Sequence, residues 1–342
     1  LPLNTVTAEG IPNRTQMQAD FAQLKQGGVT GVMVDVWWGL VEPTPRIYNW
    51  TSYQTLFQDV FAAGLKLEVV MSFHRCGDNV GDHCWIPLPV WARASGLFYK
   101  DREGNVDEEV LSLSADNRPM LAGRTALQVY FDYMSHFAKT FSVYLNNGLI
   151  TQVAVGMGPA SEMRYPSYQL SRWAYCGVGE FQSYDQYMLQ DIMQKALNAG
   201  FGVYNGPSDT GDYNSTPSRT GFFTRGFTSP VGMFFLDWYS QSLLAHGAAI
   251  LAKAREAFGP NVNIGGKVSG IHWQYGDSTN SHAAELTAGY YNTNGRDAYA
   301  AIASIFKKYD AEIDFTCLEM WDGNDCGSRP EQLVKQVYSA SK

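Results

Sequence analysis

The sequence contains no run of lysine or arginine, and its formal net charge is −8. Nucleic acid and anionic membrane surfaces attract proteins through clustered positive charge, so we expect neither as a partner. No stretch approaches the roughly 18 apolar residues that a membrane-spanning helix needs. A neutral or small substrate is therefore the better expectation.

Ligand patterns for metals and cofactors are also missing. His83 lies near Cys76 and Cys84, but these residues do not have the spacing of a zinc site. The glycine pair at 27–28 ends a predicted helix, and no glycine-rich phosphate-binding segment follows the first apolar segment. We therefore expect no metal and no cofactor.

Cysteine is scarce, and its five copies leave at least one thiol unpaired within the chain. Cys76 and Cys84 flank a glycine-rich loop and could close a small disulfide, while Cys317 and Cys326 are the other close pair. Glycosylation sequons begin at Asn13, Asn49 and Asn214. They favour secretion only slightly, and the compartment stays open.

The dominant pattern is a short apolar segment, a loop and an amphipathic helix, repeated six times. Strands are predicted at 1–6, 29–37, 65–73, 150–157, 262–269 and 312–318. The first helix is predicted to follow an N-cap at Thr15 and to end at the glycines at 27–28. Further helices are predicted near 53–61, 125–145, 184–197, 234–258 and 330–338. Such alternation indicates parallel strands covered on both faces, either an open α/β sheet or a (β/α)8 TIM barrel.

Polar side chains at the carboxyl ends of the predicted strands favour the barrel. In a barrel these ends converge on one face, where the chemistry takes place. The residues concerned are Asp35, His74, Glu162, Lys267, His272 and Glu319.

Six segments across nearly the whole chain resemble β-amylases and occur in the order found in that family. They read GVMVDVWWG at 31–39, MSFHRCGDNVGD at 71–82, GPASEMRYPSY at 158–168, KVSGIHW at 267–273, HAAELTAGY at 282–290 and FTCLEM at 315–320. The resemblance implies a (β/α)8 barrel that hydrolyses α-1,4-glucosidic bonds of starch, maltodextrin or related glucans. It further implies cleavage from non-reducing ends that releases β-maltose with inversion.

The resemblance also assigns site residues. Glu162 matches the general acid, one of two carboxyl groups that such a site places on either side of the scissile bond. A direct contact with Arg164 would favour the carboxylate form, so the acid role requires another partner for Arg164 or the prevailing effect of burial. Side chains that match sugar-binding positions are Asp35, His74, Asp82, Lys267, His272 and Thr316. For Trp37, Trp38 and Trp273, sugar stacking and core packing both stay open.

The segment 77–82 resembles the mobile loop that closes over substrate in β-amylases. Its glycines supply hinge freedom and Asp82 contacts the sugar, while Asp78 replaces a usual glycine and is expected to stiffen the hinge. Ser161 also replaces a usual glycine, beside the acid. Secreted bacterial relatives with cysteines at this spacing imply a disulfide between Cys76 and Cys84.

One expected part of the site is missing from the sequence. The general base of β-amylases is a glutamate in a Gly-Glu-Asn-Ala segment on strand seven, and no such segment occurs here. We therefore expect residues 1–342 to form a single catalytic barrel domain that holds about six of eight βα units and stops before strands seven and eight. Alone, this chain is expected not to hydrolyse starch at the family's rate.

Two other functions stay open on the sequence. One is a non-catalytic glucan-binding or sensing protein that keeps the sugar groove. The other is a retaining glycosidase, for which Glu319 is the nearest strand-end nucleophile.

Overall fold

A computed structural model describes residues 1–77 and 79–342, so the expectation for Asp78 lies outside the described residues. The strands are β1 Gly31–Trp37, β2 Lys66–Ser72, β3 Phe98–Lys100, β4 Val106–Leu111, β5 Ile150–Val155, β6 Ile264–Val268 and β7 Ala311–Phe315. The α-helices are α1 Arg14–Gln26, α2 Trp38–Val41, α3 Thr51–Ala62, α4 Val90–Arg93, α5 Ala126–Thr140, α6 Ser142–Asn146, α7 Gln186–Asn198, α8 Gly221–Thr224, α9 Pro230–Phe258, α10 Ala283–Thr287, α11 Ala298–Lys308 and α12 Pro330–Ala340.

Five strands form one parallel sheet in the order β1-β2-β5-β6-β7. Neighbours in the sheet therefore follow one another along the chain, as in the successive βα units of a barrel. Because every strand runs in the same direction, all five carboxyl ends lie at one edge. Helices cover the sheet, and α5 packs against α9.

Aromatic side chains fill much of the core between strands and helices. Trp38 is fully buried and meets Phe73 and Tyr130 edge to face, at ring-centre distances of 6.3 and 5.9 Å. Such contacts add to the stabilisation that comes from burying apolar surface. Among the described helices, none is both long and apolar enough to cross a bilayer.

The predicted strand at 1–6 is wrong. Both the amide and the hydroxyl of Thr5 donate to the carbonyl of Pro2, so this segment turns back on itself. Proline also has no amide hydrogen with which to extend a ladder. The predicted N-cap at Thr15 is likewise wrong, since Asn13 is the N-cap and α1 begins at Arg14.

The structure contains elements that the sequence pattern did not predict. A hairpin of β3 and β4 lies within the long connection after β2, and α11 lies between β6 and β7. The predicted helix at 125–145 is two helices, α5 and α6, separated at Phe141. The start of α5 is as expected, because Thr125 forms a capping box with Gln128.

Candidate active site

Glu162 lies at the edge where β5 and β6 end. Its backbone forms an isolated parallel bridge with Lys267, and the amide of Met163 donates to the Lys267 carbonyl at 2.9 Å. These contacts fix the segment after β5 against β6. Two residues predicted from separate strand ends are therefore neighbours in space.

The carboxylate of Glu162 contacts Arg164 directly. Nε of Arg164 donates to Oε2 of Glu162 at 2.6 Å, and the Glu162 side chain is only 14% exposed. The other donors of the guanidinium have their own acceptors. Nη1 bonds the Tyr165 carbonyl at 3.2 Å, and Nη2 bonds Oδ1 of Asn79 at 3.1 Å. Arg164 thus divides its hydrogen bonds among three groups.

A tight turn immediately before Glu162 places the side chain of Ser161 next to His74. Ala160 and Ser161 have positive φ angles of 51° and 63°, a region that favours glycine, which explains the usual glycine next to the acid. Oγ of Ser161 lies 3.2 Å from Nδ1 of His74. The serine is accommodated and links the turn to the end of β2.

His74 is buried as a neutral imidazole. Burial first, then the charges of Lys267 and Arg164, lower the pKa of His74 to about 3. A neutral imidazole has one donor and one acceptor nitrogen, which suits a sugar hydroxyl. The ring of Trp37 lies beside it, with a centre-to-centre distance of 5.0 Å.

Asp35 and Ser72 pair across the ends of β1 and β2. Oγ of Ser72 donates to Oδ1 of Asp35 at 2.7 Å, and the hydroxyl of Tyr53 donates to the Asp35 carbonyl at 3.0 Å. The first bond orients the predicted sugar-binding carboxylate, and the second fixes the backbone of Asp35, at the same edge as His74.

In the segment made of residues 76–77 and 79–84, hereafter the covering loop, Asp82 contacts the loop's own backbone. Its Oδ2 accepts from the amide of Gly77 at 2.8 Å and from the amide of Asn79 at 3.1 Å. A disulfide joins Cys76 and Cys84, so this expected pairing is confirmed. The predicted sugar-binding carboxylate therefore stabilises the loop in this conformation.

His272 and Thr316 follow β6 and β7. Nδ1 of His272 lies 2.8 Å from Oγ of Ser328, and burial lowers the pKa of His272. Oγ1 of Thr316 accepts from the amide of Gly270 at 2.6 Å. Both predicted sugar-binding groups are thus held by polar contacts between the β6 and β7 ends.

The second disulfide does not join Cys317 and Cys326, the other pair that is close in sequence. Cys326 pairs with Cys176, across 150 residues, and Cys317 keeps a free thiol. Burial, then Glu319 and Glu162, raise the pKa of the Cys317 thiol to about 12. The side chain of Cys317 packs beside Gly270 instead of Cys326, and it stays a protonated thiol.

The three candidate sugar-stacking tryptophans are all buried. Trp38 donates from Nε1 to Oε2 of Glu42 at 2.8 Å, and Nε1 of Trp37 donates to the Leu3 carbonyl at 2.9 Å. Trp273 donates to the Gly177 carbonyl at 3.2 Å. These contacts favour the packing interpretation for the three rings.

Two residues of this region were missed as candidates, Glu109 on β4 and Asn79 in the covering loop. The side-chain Nδ2 of Asn79 donates to Oε1 of Glu109, and the backbone amide of Ala160 donates to the same oxygen at 2.9 Å. Asn79 lies in the segment 71–82 that resembles β-amylases, so the sequence itself signals this residue. Glu109 follows two other acidic residues, Asp107 and Glu108, and resembles an exposed strand position.

Carboxylates cluster at one place away from Glu162. Asp101, Glu103 and Glu180 have oxygens within 4.8 Å of one another. Burial first, then hydrogen bonding and charge from Glu103, raise the pKa of Glu180 to about 9. A carboxyl that keeps its proton offsets the repulsion in this group.

Comparison with known proteins gives consistent matches over the whole length. The family model described as "Glycosyl hydrolase family 14" matches residues 1–342. Beta-amylase 5 of Arabidopsis thaliana is 46% identical over 354 residues, covering 99% of this chain and 71% of the relative. Beta-amylase of Glycine max is 45% identical with the same coverage. The catalytic domain of beta-amylase from Paenibacillus polymyxa superposes with a TM-score of 0.82 at 32% identity, covering 97% of this chain and 80% of that one.

Proposed function

Because the chain belongs to glycosyl hydrolase family 14, we propose that Glu162 is the general acid with which it cleaves glucans. The chain is a β-amylase-type glycoside hydrolase on a TIM-barrel fold that hydrolyses α-1,4-glucosidic bonds of glucans such as starch and releases maltose. A glucan-binding protein without turnover is not favoured. The finer proposal is cleavage from non-reducing ends of starch or maltodextrin, with inversion to β-maltose.

One observation carries the assignment of the acid. The nearly buried Glu162 carboxylate lies at the shared edge of the parallel strands, and the backbone of Glu162 pairs with that of Lys267. The preceding residue, Ser161, contacts His74 through its hydroxyl. Polar groups that can bind sugar hydroxyls thus surround a carboxyl group able to reach a glycosidic oxygen. Arg164 contacts this carboxylate through Nε alone and shares its other donors with Tyr165 and Asn79.

The sugar-binding proposal covers six side chains around this acid. Neutral His74 both donates and accepts, Asp35 accepts, and Lys267 donates, so together they match hydroxyls that do both. His272 and Thr316 extend the surface towards β7, and Asp82 contributes from the covering loop. The residues proposed to bind glucan are Asp35, His74, Asp82, Lys267, His272 and Thr316.

The acid is tested with two substrates that differ in their leaving group. Glu162→Gln should lower starch hydrolysis by about 10² to 10⁴, because a glucosyl oxygen needs protonation. The same variant should hydrolyse α-maltosyl fluoride at close to the parental rate, since fluoride departs without a general acid. Undiminished starch hydrolysis by Glu162→Gln would refute the assignment.

Glu319→Gln is the matched control for the retaining alternative. Glu319 is exposed and lies four residues beyond the end of β7. We expect this variant to behave as the parent on both substrates. NMR of freshly released product should show β-maltose first; initial α-maltose together with loss of activity in Glu319→Gln would support a retaining mechanism instead.

A further inference from the structure

A continuous chain of hydrogen bonds runs from β4 through the covering loop to the Glu162 carboxylate. Glu109 accepts from Nδ2 of Asn79, and Oδ1 of Asn79 accepts from Nη2 of Arg164 at 3.1 Å. Nε of Arg164 then donates to Glu162 at 2.6 Å. Glu109, Asn79 and Arg164 are all buried, so water competes little for these bonds.

The edge of the guanidinium that carries Nε and Nη2 is the edge that binds a carboxylate with two parallel bonds. Arg14 uses it in this way, since its Nε and Nη2 bond the two carboxylate oxygens of Asp59 at 2.7 and 2.8 Å. In Arg164 the same edge is divided, with Nε on Glu162 and Nη2 on Asn79. Asn79 therefore occupies the position that a second Glu162 oxygen would take.

This division leaves one oxygen of the acid available. Oε2 of Glu162 receives the Arg164 bond, and within residues 1–77 and 79–342 Oε1 accepts no hydrogen bond. A proton delivered to a glycosidic oxygen needs such an oxygen. Bidentate pairing would occupy both oxygens and would stabilise the ionised form that cannot act as an acid.

Glu109 holds both partners of this arrangement. Its Oε1 binds the Asn79 amide group and the backbone amide of Ala160, which belongs to the turn that precedes Glu162. Burial, then the neighbouring Asp107, raise the pKa of Glu109 to about 8, so at neutral pH it is mostly a neutral carboxyl group. In that form it holds Asn79 without competing with Glu162 for the Arg164 charge.

We propose that Asn79, held by Glu109, is a positioning residue that limits the contact between Arg164 and Glu162 to one hydrogen bond. It thereby couples the position of the covering loop to the activity of the acid. The proposal rests on the proposed role of Glu162 as general acid. Displacement of the covering loop releases Nη2, and Arg164 then pairs with both oxygens of Glu162. Glu162 therefore donates its proton to the leaving oxygen most effectively while the loop holds Asn79 in place.

The test compares Asn79→Ala with the parent enzyme on starch and on α-maltosyl fluoride, each across pH. Loss of Asn79 should lower kcat on starch at neutral pH about tenfold and move the alkaline limb of the kcat profile about one pH unit lower, as a closer cation does to an acid. KM for starch and the fluoride reaction should change little. Equal losses on both substrates, or an unmoved alkaline limb, would overturn the proposal.

Glu109 supplies a matched pair of variants. Glu109→Gln keeps an acceptor oxygen of the same shape and should match the parent, whereas Glu109→Leu removes that oxygen and should reproduce the Asn79→Ala profile. If Glu109→Leu does not fold, Asn79→Ala and Glu109→Gln still decide the question. A parental alkaline limb in Glu109→Leu would contradict the coupling.

Other titratable groups face the Glu162–Arg164 pair and belong in the interpretation of the pH profile. They are His74 after β2, Asp107 and Glu109 on β4, Lys267 on β6, Tyr168 and Tyr290 from the flanking loops, and Cys317 after β7. Glu162→Gln separates the two proposals. If Glu162→Gln leaves starch hydrolysis intact, the acid assignment fails. If it abolishes hydrolysis of starch but not of α-maltosyl fluoride, the acid assignment stands, and Asn79→Ala then tests the positioning role independently.

Discussion

Ser161 shows how one residue next to the acid combines a conformational cost with a polar contact. Its φ of 63° lies in the left-handed region, while its hydroxyl lies 3.2 Å from the His74 imidazole. A glycine there would relieve the backbone and lose the contact. The serine therefore adopts a less favourable backbone conformation, and its hydroxyl orients His74, a proposed sugar-binding residue.

Two substitutions separate these effects. Ser161→Gly and Ser161→Ala both remove the hydroxyl, but only alanine keeps a Cβ in the left-handed region, which costs about 1 kcal/mol. We expect the free energy of unfolding of the glycine variant to exceed that of the alanine variant by about this amount, measured by urea denaturation. KM for maltodextrin should rise in both variants, because His74 loses its partner. A parental KM in both would show that the contact does not orient His74.

At the scale of elements, the strands that bear the site were largely predictable. Apolar segments around 29–37, 65–73 and 150–157 contain β1, β2 and β5, and the polar residues after them do meet at one edge. Segment 1–6 is apolar enough for a strand, but its turn at Pro2 depends on local hydrogen bonds that composition does not reveal. Glu109 and Cys176 were missed because their partners are distant in sequence and only tertiary packing brings them together.

The two disulfides should differ in their effect on stability. In the chain-entropy treatment a cross-link stabilises more when it closes a longer loop, which gives about 2.5 kcal/mol for a loop of some ten residues and about 5 kcal/mol for one of some 150. Replacing Cys176 and Cys326 with serine should therefore lower the free energy of unfolding more than replacing Cys76 and Cys84. Denaturant unfolding of the two double variants measures the difference. Equal losses would indicate that residual structure or native-state contacts, not loop length, dominate.

For the whole molecule, the acidic group around Glu180 makes stability depend on pH. The pKa of Glu180 rises from 4.5 to about 9 on folding, mainly through burial. Between these values the folded state retains a proton that the unfolded chain releases, so this carboxyl lowers stability as pH rises. We expect its favourable contribution to be complete below about pH 4.5 and lost as pH rises through about 9.

Glu180→Gln tests this dependence. The free energy of unfolding of the variant should decline less between pH 5 and 9 than that of the parent, because the replaced group no longer titrates. Glu9→Gln, at an exposed carboxylate, is the control and should leave the slope unchanged. A slope in Glu180→Gln equal to the parent's would contradict the assignment of a retained proton.

The Cys176–Cys326 bond also closes a covalent ring that contains every residue from 176 to 326. Every peptide bond between these cysteines, including those of the exposed segment near Val203, lies within the ring that the bond closes. A single protease cut there would open the ring but would not separate the molecule. Electrophoresis without reductant should still show one species near 38.0 kDa, and reductant should release two fragments. Backbone scission in this region would therefore leave the strand ends around Glu162 on one connected molecule.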